Sequence, residues 1–219
     1  MSRTTHKYTD IMFVVGLITA PWWCGAQAIR ALTTVEGISL AQYVAFTGSF
    51  FIGALLAVEG RKKTEVGKRR VITQQVFVHS TWVLCGTFLL AIVLTRGGYV
   101  WSKVDQTITT LVLSGLLATS IWAILGKKSF ADAAVRALIG ISLKSLPQFL
   151  LIAKIWSEGG AGITMSAITL GHLSIFMRLI PLGMSLRTEG INREKLWLLT
   201  ADGLNALSWV AVTVVWLVR

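Results

Sequence analysis

The chain has 219 residues, 54% of them hydrophobic and 14% charged, against about 25% charged in an ordinary soluble domain. Long apolar runs recur from end to end, which excludes a water-soluble globular fold and leaves no segment over for a soluble domain. The basic residues behind the net charge of +11 fall on alternate loops, the pattern of a topology signal, so no nucleic-acid partner is expected.

Seven runs are long enough to cross a bilayer core about 30 Å thick, at about 9–30, 38–58, 71–94, 106–125, 132–156, 163–184 and 196–217. The first contains Pro21. Its "AQA" at 26–28 resembles a signal-peptide cleavage site, but Asp10 and Trp22-Trp23-Cys24 fit one poorly, so the run is read as a span. After the second run comes "RKKTEVGKRR" at 61–70, read as a topology anchor on anionic headgroups. The third run carries Gln75 and His79. The fourth, with only hydroxyls and Gln106 as polar content, reads as a linker. The fifth holds Lys144, Pro147 and Gln148, the sixth His172 and Arg178, and the seventh Asp202 and Asn205. Trp101, Trp156, Trp197 and Trp216 fall near proposed ends, as interfacial aromatics do. Cys24 and Cys85 lie inside spans and read as small hydrophobes, not a disulfide framework or metal ligands.

Alternate loops differ in charge: one set holds thirteen Lys and Arg, the other five. The positive-inside rule then places the N-terminus in the cytoplasm and the C-terminus outside, in a plasma or bacterial-type inner membrane. The chain also overlays on itself. Gly37-Ile38-Ser39 meets Gly162-Ile163-Thr164, Ser49 and Phe51 meet Ser174 and Phe176, and Pro21 meets Pro147 with a one-residue slip. Lys68 and Thr81-Trp82 meet Lys195 and Ser208-Trp209 at nearly the same offset. This predicts an all-α membrane protein with seven transmembrane helices in a 3+1+3 layout of parallel triple-helix repeats. The single membrane domain, 1–219, divides into repeat one at 9–94, a linker helix at 106–125 and repeat two at 132–217.

Pro147-Gln148, Lys154, Glu158 and Gly162-Ile163-Thr164 together resemble the PQ-loop family, which includes the SWEET sugar transporters. The first half carries Pro21, Gln27, Arg30, Glu36 and Gly37-Ile38-Ser39, with Trp22 where the family has Gln. The resemblance implies prolines that bend helices during alternating access, and substrates among sugars, amino acids such as cystine, and cationic amino acids; as a class the expected solute is a sugar, an amino acid or an organic acid. It also admits non-transporting relatives, notably the receptor that retrieves escaped proteins to the endoplasmic reticulum. SWEET-like members keep their N-terminus outside, opposite to the charge reading.

Ionisable and amide groups at bilayer depth are costly and tend to face the bundle interior. Lys144, His172, Asn205, His79 and Gln75 are therefore the candidate substrate-binding residues. Arg178 and Asp202, at similar depth on adjacent helices, form an ion pair or a proton-coupling site. Pro21, Pro147 and Gln148 are the candidate hinge, Gln148 satisfying backbone groups that Pro147 opens, with a flexible "GGAG" turn beyond. Trp82 and Trp209 read as packing residues. No nucleophile elbow, phosphate loop, paired carboxylates or zinc spacing occurs, so no enzyme activity, catalytic residue, metal or cofactor is expected. The expected function is alternating-access transport of a small polar solute, proton-coupled through His79, His172 or Asp202. The alternative is a receptor or assembly factor binding a peptide or lipid. The expected partners are the lipid bilayer, the solute and further copies of the chain as a homo-oligomer.

Overall fold

The computed structural model describes residues 3–63 and 69–219, and every regular element among them is helical. Residues 64–68, the middle of the basic run, lie outside the described residues, and so does the Lys68 overlay. In chain order the helices are α1 (Arg3–Thr33), α2 (Leu40–Lys63), α3 (Arg69–Arg96), α4 (Lys103–Leu125) and α5 (Ala133–Gly140). After α5 come a π-helical turn (Ile141–Ser145), α6 (Leu146–Glu158), α7 (Met165–Glu189) and α8 (Arg193–Val218). The α5–turn–α6 stretch is one continuous span, Ala133–Glu158, so seven helices are long and apolar enough to cross a membrane. They suit a multi-pass integral membrane protein.

The helix starts are written in the sequence. Ser102 caps α4, its side chain accepting from the Asp105 N–H while the Asp105 carboxylate reaches back to the cap. Thr164 and Asn192 cap α7 and α8 in the same sense, accepting from Ala167 N–H and Lys195 N–H. Gly159 ends α6 at φ +89°, a left-handed conformation that suits glycine.

Helix α3 packs against both α1 and α2, and α8 packs against α5, α6 and α7. Helix α4 lies on α2, α5 and α6, while α1 meets α7 and the π turn meets α2. Three apolar clusters follow: Trp23, Tyr43, Trp82 and Leu89 within α1–α3, Leu151, Ile168, Trp209 and Val212 within α6–α8, and Ala41, Ile108, Val112 and Leu143 around α4. Lipid tails are as apolar as these side chains, so close fit and hydrogen bonds must hold the helices together. Accordingly Gly86 sits against Thr47, Gly53 beneath the His79 ring and Gly171 beneath the Trp209 indole, where an added methyl would crowd its neighbour. Trp22, Ile29, Leu84 and Ile124 point outward, as lipid-facing residues should. Pro21 also faces outward, and α1 runs on through it.

Candidate functional site

Pro147 has no N–H to give the Leu143 carbonyl, four residues earlier. The helix answers by widening. Residues 141–145 form a π turn, and the Leu146 N–H reaches the Ile141 carbonyl five residues back. Such turns are rare and gather at functional sites. Lys144 lies in this turn, about 17 Å from the start of the span at ~1.5 Å per residue, near the middle of the bilayer core.

The Lys144 ammonium rests 4.8 Å above the Phe50 ring. Phe50 stacks on Trp82 at 4.9 Å and lies 5.7 Å from the His79 ring, which itself rests on Gly53. Arg178 and Asp202 form an ion pair at 3.1 Å, and both act electrostatically on Lys144. His79 in turn feels Lys144 and Arg178. No carboxylate pairs with Lys144 among the described residues, and no hydrogen bond ends on it. A desolvated cation–π contact contributes about 2 kcal/mol. Removing an ammonium from water costs several kcal/mol, so Phe50 alone does not offset it.

One turn further along, the Gln148 side chain accepts a short hydrogen bond from the Ser208 hydroxyl, which also donates to the Asn205 carbonyl at 2.8 Å. Gln148 therefore bridges to α8, correcting the expectation that it satisfies backbone opened by Pro147. Among the described residues, four buried polar atoms have no partner: Gln148 Nε2, Asn205 Oδ1, Ser145 Oγ and His79 Nδ1. Each such atom costs about 1–3 kcal/mol if nothing satisfies it. Three of the four surround Pro147.

The structure thus brings His79, Lys144, Arg178 and Asp202 into one electrostatic group, with Gln148 and Asn205 beside it. His172 stands apart, its Nε2 2.8 Å from the Thr213 hydroxyl and its ring 6.3 Å from Trp209. Gln75 is exposed on α3 and joins no cluster, which corrects its place as a solute contact. Its neighbour Gln74 points inward and donates to Asp10 at 2.7 Å, beside Arg70, which donates to the same carboxylate at 2.9 Å. Cys24 and Cys85 are not bonded to each other. Trp82 and Trp209 are both buried against helix neighbours, as expected of packing residues.

Sequence reading missed the most complete polar network. Asp105, at the start of α4, is fully buried and pairs with the equally buried Lys154 at 2.6 Å. It also accepts from the hydroxyls of Ser39, Tyr99 and Ser102, each at 2.7 Å, while Glu158 stands 3.6 Å from Lys154. Burial, aided by the adjacent carboxylate, holds the Tyr99 phenol well above its usual range, so it stays a donor. The signal that could have found Asp105 is the Ser102-x-x-Asp105 capping box.

This network lies at the distal end of the bundle, away from the N-terminus. The turns 34–39 and 159–164 meet there: the Gly162 N–H donates to the Glu36 carbonyl at 2.8 Å, and Trp216 Nε1 to the Gly160 carbonyl at 3.1 Å. Arg30 donates to the Ala161 carbonyl, Trp23 Nε1 to the Ala167 carbonyl at 3.2 Å, and the Thr164 N–H to Gln27 Oε1 at 2.9 Å. The "GGAG" turn is therefore pinned, against the expectation of a flexible one. A cavity of about 240 Å³ opens over Lys154, lined by Glu36, Tyr99, Ser102 and Glu158 among others. A broader one of about 600 Å³ lies between residues 33–36 and 96–98. Both open at the distal end rather than at mid-depth. Compared with protein-family models, curated proteins and solved structures, the chain matches none.

Proposed function

We propose that the chain is a PQ-loop-type carrier that moves a small polar solute by alternating access, with the solute held at the wide turn of the fifth span. The observation behind this reading is the set of unpartnered polar atoms around Pro147: Ser145 Oγ, Gln148 Nε2 and Asn205 Oδ1. Such atoms are costly in a membrane interior, and a solute with complementary groups satisfies them. In this reading the helices form two parallel triple bundles, 9–94 and 132–217, joined by the linker at 106–125. The central places of α3 between α1 and α2, and of α8 between the fifth span and α7, support that layout. The proximal end is cytoplasmic by loop charge. The distal seam is the closed gate, Pro147 the hinge, and Arg178 with Asp202 a pair that opens when the solute or a proton arrives. No catalytic reaction and no cofactor enter.

The distal cavities favour a second reading, a non-transporting receptor or assembly factor that binds a peptide or lipid there. Proteoliposomes decide between the two. With Cys24 and Cys85 replaced by Ala, an Asn205→Cys thiol should react with an impermeant reagent from one side at a time. Glucose, lactate or lysine, tested as probes, should change that side. A thiol unreactive from both sides, together with no uptake of any probe, would exclude the carrier.

A further inference from the structure

We infer that the solute is a small monocarboxylate, its carboxylate held by the Lys144 ammonium and its uncharged polar substituent by Gln148 and Asn205. This rests on the carrier reading and deepens it. Three other charge pairs are seated in the spans: Asp10 with Arg70 near the proximal end, Asp105 with Lys154 near the distal end, and Arg178 with Asp202 in between. Lys144 has the face of Phe50 and no anion. Asp202 is already held by Arg178 at 3.1 Å, and moving it to Lys144 would only transfer the deficit to Arg178. With Lys144 protonated, the mid-depth group of Lys144, Arg178 and Asp202 carries one positive charge too many, however the pairs are drawn.

One surplus charge matches one carboxylate. A phosphate carries about −1.5 to −2 and would overshoot, and a neutral sugar would leave the ammonium unmatched. An amine would add to the excess. Lys144 and Gln148 stand four residues apart across the wide turn, about one turn of helix, and the turn packs against both α2 and α8. Gln148 Nε2 donates and Asn205 Oδ1 accepts, so between them they satisfy a hydroxyl in either sense.

The test is thermal unfolding of the purified full chain with lactate, phosphate, glucose or choline, each against chloride at equal ionic strength. Lactate should raise the midpoint most. Lys144→Gln should weaken the apparent lactate affinity about a hundredfold, as expected when a buried charge loses its partner. Lys144→Arg should retain most of it, and the midpoint without solute reports whether each variant folds. A lactate shift unchanged in Lys144→Gln overturns the assignment. A shift with phosphate larger than with lactate overturns the carboxylate, and a shift with glucose or choline but not lactate overturns the anion while leaving the carrier standing. No shift with any probe, and no uptake of any, overturns both.

Discussion

Replacing Asp105 by Ala should be among the most damaging single changes in the molecule. The carboxylate is fully buried and receives Lys154 together with three hydroxyls from the 34–39 turn, the 97–102 loop and the α4 cap. Its loss strands an ammonium whose side chain is 2% exposed. Breaking a buried pair from one side costs about 3–5 kcal/mol. Glu158, 3.6 Å from Lys154 and partly exposed, can swing in as a substitute, which places the expected cost near the lower bound, about 3 kcal/mol. Removing both charges should be far milder: Asp105→Leu with Lys154→Met strands no charge, and apolar replacement of a buried pair is often close to neutral. The coupling between the two sites should then reach about 2 kcal/mol. Unfolding of the purified protein in mixed detergent micelles, measured for Asp105→Leu, Lys154→Met and the double, gives the cycle, with Asp105→Ala measured beside it. An Asp105→Ala cost below about 1 kcal/mol, or a double variant as unstable as the single, would refute the argument.

Three further outcomes follow from the geometry. Gly37→Ala places a side chain at φ +71° and drives its Cβ into the Gly159 carbonyl, so it should cost more than the ~1–2 kcal/mol of a left-handed residue alone. Gly25→Ala, which meets no neighbour within 4 Å, is its control, and equal thermal midpoints for the two would contradict the seam. Gln148→Leu should leave stability within about 1 kcal/mol, because Ser208 keeps its bond to the Asn205 carbonyl, yet abolish solute-dependent stabilisation. Unaltered solute response in that variant would remove Gln148 from the site. Pro147→Ala restores an N–H to the fifth span and should slow, several-fold, the exchange of side accessibility at an Asn205→Cys thiol without lowering expression. An unchanged exchange rate would argue that the wide turn plays no part in motion.

Apolar run length located all seven helices, with ends that shifted by a few residues, because hydropathy is a bulk property and survives ignorance of neighbours. The Arg178–Asp202 pair was legible for a related reason: opposite charges at like depth on adjacent helices have few other partners. Asp105 was not. A carboxylate just before an apolar run reads as loop, and only its hydrogen-bonded cap reveals that the helix begins earlier and carries it inside. Gln74 and Gln75 show a different limit. Depth selected Gln75 and passed over Gln74, but rotation about α3 turns Gln74 toward Asp10 and Gln75 outward. The π turn defeated reading altogether, since a proline announces a missing bond without saying whether the helix bends, breaks or widens.

The seam between α1 and the start of α7 has a property that its inventory of bonds conceals. The Ala161, Gly162, Thr164 and Ala167 positions all contribute through main-chain atoms. A closure stitched by peptide groups is indifferent to which side chains decorate that stretch, and it answers only to chain length and to room for close approach. Drift in composition there should be harmless except at Gly162, where a Cβ would meet the Glu36 carbonyl, and at the Thr164 cap, while inserting or deleting a single residue should unfasten every stitch at once.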